Sequence, residues 1–327
     1  MSRAGREGAP SPSGADALGP RYVPLVSVVI PALNEAKNLE RLLPALPDGL
    51  HEVVLVDGKS VDGTIEVACR LRSDIRVIRQ NRSGKGNALA CGFAACSGDI
   101  IVMLDADCSA DPNEIPRFVD ALLDGADFAK GSRFLDGGGS HDITRLRAFG
   151  NRCLSSLVNV LFDVSYSDLC YGYNAFWARC CLPVLDLDWR SPPPEDGDGQ
   201  LWGDGFEIET LINIRIAAAG LKVMEVPSYE RARIFGVSNL NAARDGMRVL
   251  RTILSERRRT RALAERGRRP GRLIPVSSAA EKPPLAVQMP RSRPHLVERR
   301  VGGRRKQQLP VVFECRSGAD RRQSRAA

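Results

Sequence analysis

The sequence predicts an α/β protein built on a doubly wound, mostly parallel sheet with flanking helices. Two observations predict it. Between residues 25 and 130, short apolar runs alternate with segments of helical apolar spacing, which is the pattern of strand–helix–strand units. One of those runs, residues 100–104 (IIVML), is apolar without interruption and stops at two carboxylates, Asp105 and Asp107. An unbroken run is what a central parallel strand covered on both faces requires. In such sheets ligands bind outside the carboxyl ends of the strands, which places Asp105 and Asp107 where a ligand would sit.

Taken in order, residues 25–30 (LVSVVI) form the first strand, closed by Pro31. Asn34 and Glu35 open a helix in which Leu39, Leu42, Leu43 and Leu46 fall at helical spacing. Residues 52–56 are the second strand, ending at Asp57 and the turn-rich GKSVDGT, and a helix starts near Asp62 to Thr64. Residues 75–78 are a third strand. SGKGNALACGFAAC then runs from a glycine-punctuated loop into a helix of small residues suited to close packing on a sheet. After the central strand come a helix over residues 112–123 and a short strand over 127–130. Beyond Arg133 the pattern changes to a flexible DGGGS loop and an amphipathic helix over 144–161. A polar loop (191–205), the helix FEIETLINIRIAAAG, a strand over 222–226 and a final helix over 241–258 follow.

The termini differ from this body. Residues 1–21, rich in Gly, Ala, Ser and Pro, read as a disordered leader, and residues 259–327 as a basic disordered tail. The formal charge of +8 is a property of that tail: from Arg257 onward there are 20 Lys and Arg against 5 Asp and Glu, leaving 27 against 34 before it. An acidic body argues against nucleic acid as the ligand. The rival from another class, a nucleic-acid-binding or scaffold protein using the Arg-rich tail, would need that tail to be its contact surface. The nine cysteines show no metal-ligand spacing and read as reduced thiols, and no apolar stretch is long enough for a membrane span. The expected location is cytoplasmic, with peripheral contact at the inner membrane face through the basic tail.

Seven spaced motifs coincide between residues 26 and 254: VSVVIPALNEAKNL, VVLVDGKSVDGT, GKGNALACGF, MLDADCSADP, KGSRF, DLCYGYNAFWA and RIFGVSNL. In their order and spacing the chain resembles a family-2 glycosyltransferase with the Rossmann-like GT-A fold, closest in pattern to the polyprenyl- and dolichol-phosphate mannosyl or glucosyl synthases. The resemblance implies a catalytic domain over residues 22–258, with a nucleotide-sugar half to about residue 133 and an acceptor half from 134. It also implies an inverting, metal-dependent transfer from a UDP- or GDP-sugar to a lipid phosphate or a small soluble acceptor.

Carried over residue by residue, the resemblance puts Pro31, Ala32, Glu35, Asp57, Lys85 and Asp105 on the nucleotide sugar, and Asp105 with Asp107 on Mg2+ or Mn2+. Two hard oxygen donors suit such ions, which also take phosphate and water oxygens. Ser109 stands where those synthases have Gln, so a third metal contact is in question. Glu35 reads alternatively as an acid in a helix's first turn and Asp62 as a helix cap. Gly84 and Gly86 beside Lys85 permit close backbone approach to a ligand. The GxxxxGK[ST] phosphate loop is absent. Arg133, Arg147 and Arg233 match positions that bind the acceptor phosphate, where a planar guanidinium donates in parallel pairs; each reads alternatively as a surface arginine. Asp107 and Arg133 are counted among the catalytic residues. If the acceptor is an alcohol, a general base is needed, and Asp168, Asp204, Glu207 and Glu209 are the candidates, Asp168 and Glu207 foremost.

Overall fold

The structure, a computed structural model, describes residues 23–195, 200–236, 242–265 and 311–314. Residues 26–132 contain β1 (Val26–Ala32), α1 (Ala36–Leu42), β2 (Glu52–Asp57), α2 (Thr64–Leu71), β3 (Arg76–Arg79), α3 (Lys85–Ala95), β4 (Ile100–Met103), α4 (Ile115–Leu123) and β5 (Phe128–Ser132). The remainder contains β6 (Gly139–Ser140), α5 (Arg145–Phe162), β7 (Asn174–Trp177), α6 (Ala178–Leu185), α7 (Ile208–Ala218), β8 (Val223–Pro227), β9 (Tyr229–Glu230), α8 (Ala242–Glu265) and β10 (Val311–Glu314).

Eight strands make one sheet in the order β10-β3-β2-β1-β4-β7-β5-β8. The strands β1 to β4 run parallel, as do β5 and β8, whereas β7 is antiparallel to both β4 and β5 and β10 is antiparallel to β3. β4 lies at the centre with all four residues buried, as its unbroken apolar run requires. The small residues of α3 let it press on β1 and β2: a Cβ at Gly92 would come within 2.5 Å of Val29 Cγ1 and 2.9 Å of Val56 Cγ2. A second apolar cluster around Val158, Leu169, Ile214 and Ile253 joins α5, α7 and α8.

Five expectations are corrected. β1 continues through Pro31 to Ala32, because its ladder with β4 ends at Val29 and Pro31 therefore removes no bond on that side. β7 was not expected as a strand, and it separates β4 from β5. The last helix runs past 258 to Glu265, held by a buried ion pair between Arg215 and Glu256 at 3.1 Å. Within the expected tail, residues 311–314 form an edge strand on β3. The rest of that tail and the expected leader lie outside the described residues. Seven cysteines here carry free thiols, but Cys69 on α2 is disulfide-bonded, so the nine are not all reduced. No helix among the described residues is long and apolar enough to cross a membrane.

Candidate active site

Loops at the carboxyl ends of β1, β2 and β4 meet in one crevice. Asn34 has φ +58, a left-handed conformation Asn tolerates, and its Oδ1 accepts from Val61 N–H at 2.9 Å, locking the β1 loop to the β2 loop. Asp62 settles as a cap. It accepts from the N–H groups of Ala36 and Thr64, both at 3.1 Å, and from the Thr64 hydroxyl, so it serves the first turns of α1 and α2 together. Burial raises its pKa, but these hydrogen bonds prevail and hold it below the ordinary value. Asp57 is fully buried and accepts from Lys59 and Ser60 N–H at 3.0 and 3.1 Å. These bonds shape the loop after β2 and leave each carboxylate oxygen with further acceptor capacity. Pro31 and Ala32 end β1, directly before the loop that carries Asn34 and Glu35.

The central feature is a charge cluster around the tip of β4. Lys85, at the start of α3, contacts Asp105 at 2.7 Å and Glu209 of α7 at 2.7 Å. Burial works against the Lys85 charge, but Asp105 and Glu209 outweigh it and push the pKa well above the usual lysine range. Arg233 contacts Asp107 at 3.2 Å. Its loop is tied to the segment after β4 and to α1: Arg231 N–H donates to Ser109 O at 2.7 Å, Arg231 pairs with Asp111 at 2.6 Å, and Phe235 reaches Lys37 and Arg41 of α1. Ser109 contributes through its backbone, its N–H donating to Asp107 Oδ1 at 3.0 Å. Burial, and then the charge of Asp107 and Asp105, pushes the Glu35 carboxyl above its ordinary value despite a hydrogen bond from Asn38. Burial and Asp105 likewise raise Glu209 against the pull of Lys85.

Four carboxylates (Glu35, Asp105, Asp107, Glu209) thus face two cations (Lys85, Arg233), an excess of two negative charges. Burial, with the neighbouring carboxylates adding to it, raises the pKa of two of the four, Glu35 and Glu209. A divalent cation held by Asp105 and Asp107 fits the excess in charge and in donor chemistry, the remaining coordination coming from ligand and water. No group of three His, Cys, Asp or Glu residues among the described residues forms a closed protein cage.

Arg133 lies elsewhere in function. Its Nε and Nη2 donate to the two oxygens of Asp168 at 2.7 and 3.0 Å, its Nη1 to Glu230 at 2.9 Å, and its plane stacks on Tyr171. Arg133 and Asp168 are buried. Desolvation of Asp168 is outweighed by Arg133, which holds its carboxyl below the ordinary range. The pair welds the end of β5 to the segment before β7. Asp168 is thereby engaged in a buried ion pair, and Arg133 spends three of its five N–H donors on Asp168 and Glu230. Arg147, in the first turn of α5, pairs with Asp142 at 3.4 Å and is not drawn into the charge cluster.

Asp204 is also a structural partner. It binds Arg82 in a buried fork, 2.8 and 2.9 Å, that fastens the β3–α3 turn to the loop before α7. Here Gly84 and Gly86 acquire their reason: an added Cβ would stand 2.1 Å from Asp204 O and 1.8 Å from Gly203 O. The close approach is to the chain's own backbone. Among the four candidate bases, Glu207 has a fully buried oxygen without a hydrogen-bond partner. Its Oε1 accepts weakly from Gly203 and Gly205 N–H at 3.3 Å, while buried Oε2 has none. Sequence reasoning missed Arg82 and Arg231; only Arg231 had a signal, two residues before Arg233.

The model of "Glycosyl transferase family 2" matches residues 27–179. The chain is 30% identical over 224 residues to glycosyltransferase AglJ of Haloferax volcanii, covering 68% of each. It is also 30% identical over 234 residues to an undecaprenyl-phosphate mannosyltransferase of Micrococcus luteus, covering 69% of this chain and 91% of that protein. The chain belongs to glycosyl transferase family 2. Against the dolichol-phosphate mannosyltransferase of Pyrococcus furiosus the match is 41% over 120 residues, only 34% of that protein's length. Among solved structures, glucosyl-3-phosphoglycerate synthase from Mycobacterium tuberculosis, crystallised with Mn2+, UDP-glucose and phosphoglyceric acid, aligns with TM-score 0.54 at 24% identity, covering 72% of this chain and 80% of that one. The family-2 chain therefore has the GT-A fold, with its charge cluster at the strand ends.

Proposed function

We propose that this family-2 glycosyltransferase moves a hexose from a nucleotide-sugar donor to a polyprenyl phosphate, with inversion and with Mg2+ or Mn2+ held by Asp105 and Asp107. The observation that carries the reading is the double negative excess at the tip of β4, beside Lys85 and Arg233. When bound there, the ion neutralises charge developing on the departing nucleoside diphosphate. Lys85 stays protonated between Asp105 and Glu209 and orients Asp105. Arg233 keeps Asp107 in place and offers its remaining donors to phosphate. The acceptor oxygen attacks the anomeric carbon as the bond to the diphosphate breaks, so no covalent sugar intermediate forms. A phosphate acceptor is already largely ionised at neutral pH, its second pKa being about 6, and needs no base.

Relatives named as mannosyltransferases of undecaprenyl and dolichyl phosphates support the acceptor class. A second reading, transfer to a soluble hydroxyl acceptor, is favoured by one observation: the unpartnered Oε2 of Glu207. That oxygen is the group that could take an alcohol's proton. The deciding assay is nucleoside diphosphate release from UDP- and GDP-sugars with Mn2+, with and without a short-chain polyprenyl phosphate, for wild type and Asp107→Ala. Release that requires the lipid phosphate and fails in the variant supports the proposal. Release indifferent to the lipid sends the search to hydroxyl acceptors.

A further inference from the structure

Of the three tryptophans, two are committed to the fold: Trp177 donates to Leu122 O at 3.3 Å, and Trp189 packs on the core under Arg190. Trp202 is 51% exposed and has neither a hydrogen bond nor a ring partner among the described residues. Its backbone is nevertheless fixed. Asp204 N–H donates to Leu201 O at 3.1 Å across Trp202 and Gly203, and Gly203 has φ +90, so residues 201–204 form a type II turn with Trp202 at its first corner. The Asp204 carboxylate closes the same turn by accepting from Leu201 N–H at 2.8 Å, and the buried fork with Arg82 anchors it. Asp204 O accepts from Gly86 N–H at 2.8 Å, one residue beyond Lys85. The turn is thus fastened to the one that carries Lys85. Glu207 holds it as well, through Gly203 and Gly205 N–H, and keeps a buried oxygen without a partner.

We propose that Trp202 is the platform on which the hexose of the nucleotide sugar stacks. The inference rests on the nucleotide-sugar reading above and adds a residue that recognises the sugar itself. A pyranose has an apolar C–H face and a rim of hydroxyls. A fixed indole suits the face, because it offers a large flat surface at low cost in conformational freedom. Carboxylates suit the rim, because when ionised they only accept hydrogen bonds. Both kinds of group stand together here: Glu207 and Glu209 follow the turn at the start of α7, and Glu209 is bound to Lys85, which also holds Asp105. A prenyl chain fits the place worse. Gln200 lies against Gly84, Arg248 donates to Gln200 at 3.1 Å, and Glu207 borders Gly205, where such a chain would need apolar neighbours.

The test uses the full chain with Mg2+ and compares UDP with UDP-glucose and GDP with GDP-mannose. Trp202 is the most exposed of the three tryptophans, so iodide quenching of the intrinsic fluorescence reads it. The nucleoside diphosphate alone should leave that quenching in place, whereas the matching nucleotide sugar should protect against it. In Trp202→Ala the protectable fraction should be gone. By isothermal titration this variant should bind the nucleotide sugar about threefold to tenfold more weakly, the size of one aromatic stacking contact, and the nucleoside diphosphate as wild type does. Trp202→Phe should restore most of the affinity. With half its surface in solvent and no partner to lose, neither change should move the melting temperature by more than about 2 °C. The proposal is overturned if the nucleotide sugar leaves iodide quenching unchanged, or if Trp202→Ala binds it like wild type. It is also overturned if the variant weakens nucleoside diphosphate and nucleotide sugar alike, or raises only the KM for a short-chain polyprenyl phosphate, since the indole would then serve the base, the turn or the acceptor. Failure of the nucleotide-sugar reading looks different and overturns both: wild type would bind none of these nucleotides.

Discussion

Replacing Arg133 with Met separates a structural arginine from a phosphate-binding one. The substitution removes three charge-assisted hydrogen bonds of 2.7, 3.0 and 2.9 Å and leaves the buried carboxylates Asp168, with no exposed surface, and Glu230 without their guanidinium partner, Lys130 being the cation that remains near Asp168. Breaking a buried pair by removing one partner costs about 3–5 kcal/mol. At roughly 2–4 °C per kcal/mol for a domain of this size, the melting temperature should fall by roughly 6–20 °C. Differential scanning calorimetry reads that shift, and acceptor KM, measured below the variant's transition, reads the other role. Adding Asp168→Leu to Arg133→Met should recover part of the loss, because it removes one stranded charge. The pH dependence carries the same information. The folded pKa of Asp168 lies below its ordinary value, so its stabilisation is present above the unfolded pKa of about 3.9 and disappears as pH falls through the lower folded value. Wild type should therefore lose more stability on acidification to that window than the double variant does. A melting temperature within about 2 °C of wild type, less than 1 kcal/mol, together with a raised acceptor KM, would refute the structural assignment.

Asp107→Asn should abolish the tightening of UDP binding by Mn2+ while leaving metal-free binding near wild type, as isothermal titration with and without the ion would read. Lys85→Met removes a charged donor at the crevice and should weaken nucleoside diphosphate binding by roughly 10–100-fold, the equivalent of one hydrogen bond to a charged group; a change under about twofold would confine Lys85 to holding Asp105. Gly86→Ala places a Cβ 1.8 Å from Gly203 O; the forced separation should lower stability by about 1–3 kcal/mol, measured by urea denaturation, whereas Gly150→Ala, with open space around its Cβ, should not lower it.

The strands read most easily from the sequence are those whose pattern is local. β1, β2 and β4 are apolar runs, and burial on both faces leaves no polar alternation to confuse them. β7 is only four residues, placed after a polar loop, and becomes a strand because β4 and β5 both offer it an edge. That is a tertiary cause with no local sign. The site divides the same way. Asp105, Asp107 and Lys85 were legible from their places at a strand end and in a glycine-rich turn. The fate of Arg133 depended on Asp168, 35 residues later, and on Glu230, 97 residues later. Residue type alone does not distinguish an arginine waiting for phosphate from one already held by two carboxylates.

The position of β7 also bears on how the chain is made. During vectorial synthesis, residues up to Ser132 leave the ribosome with β4 and β5 complete, yet these two strands do not touch. The slot between them stays open until Asn174–Trp177 arrives, so the nascent chain exposes the β4 and β5 edges that face it for more than forty further residues. Such edges invite pairing with other chains. A fragment cut at the apparent boundary near residue 133 would carry that defect permanently, and the smallest unit able to close its sheet core must extend past Trp177.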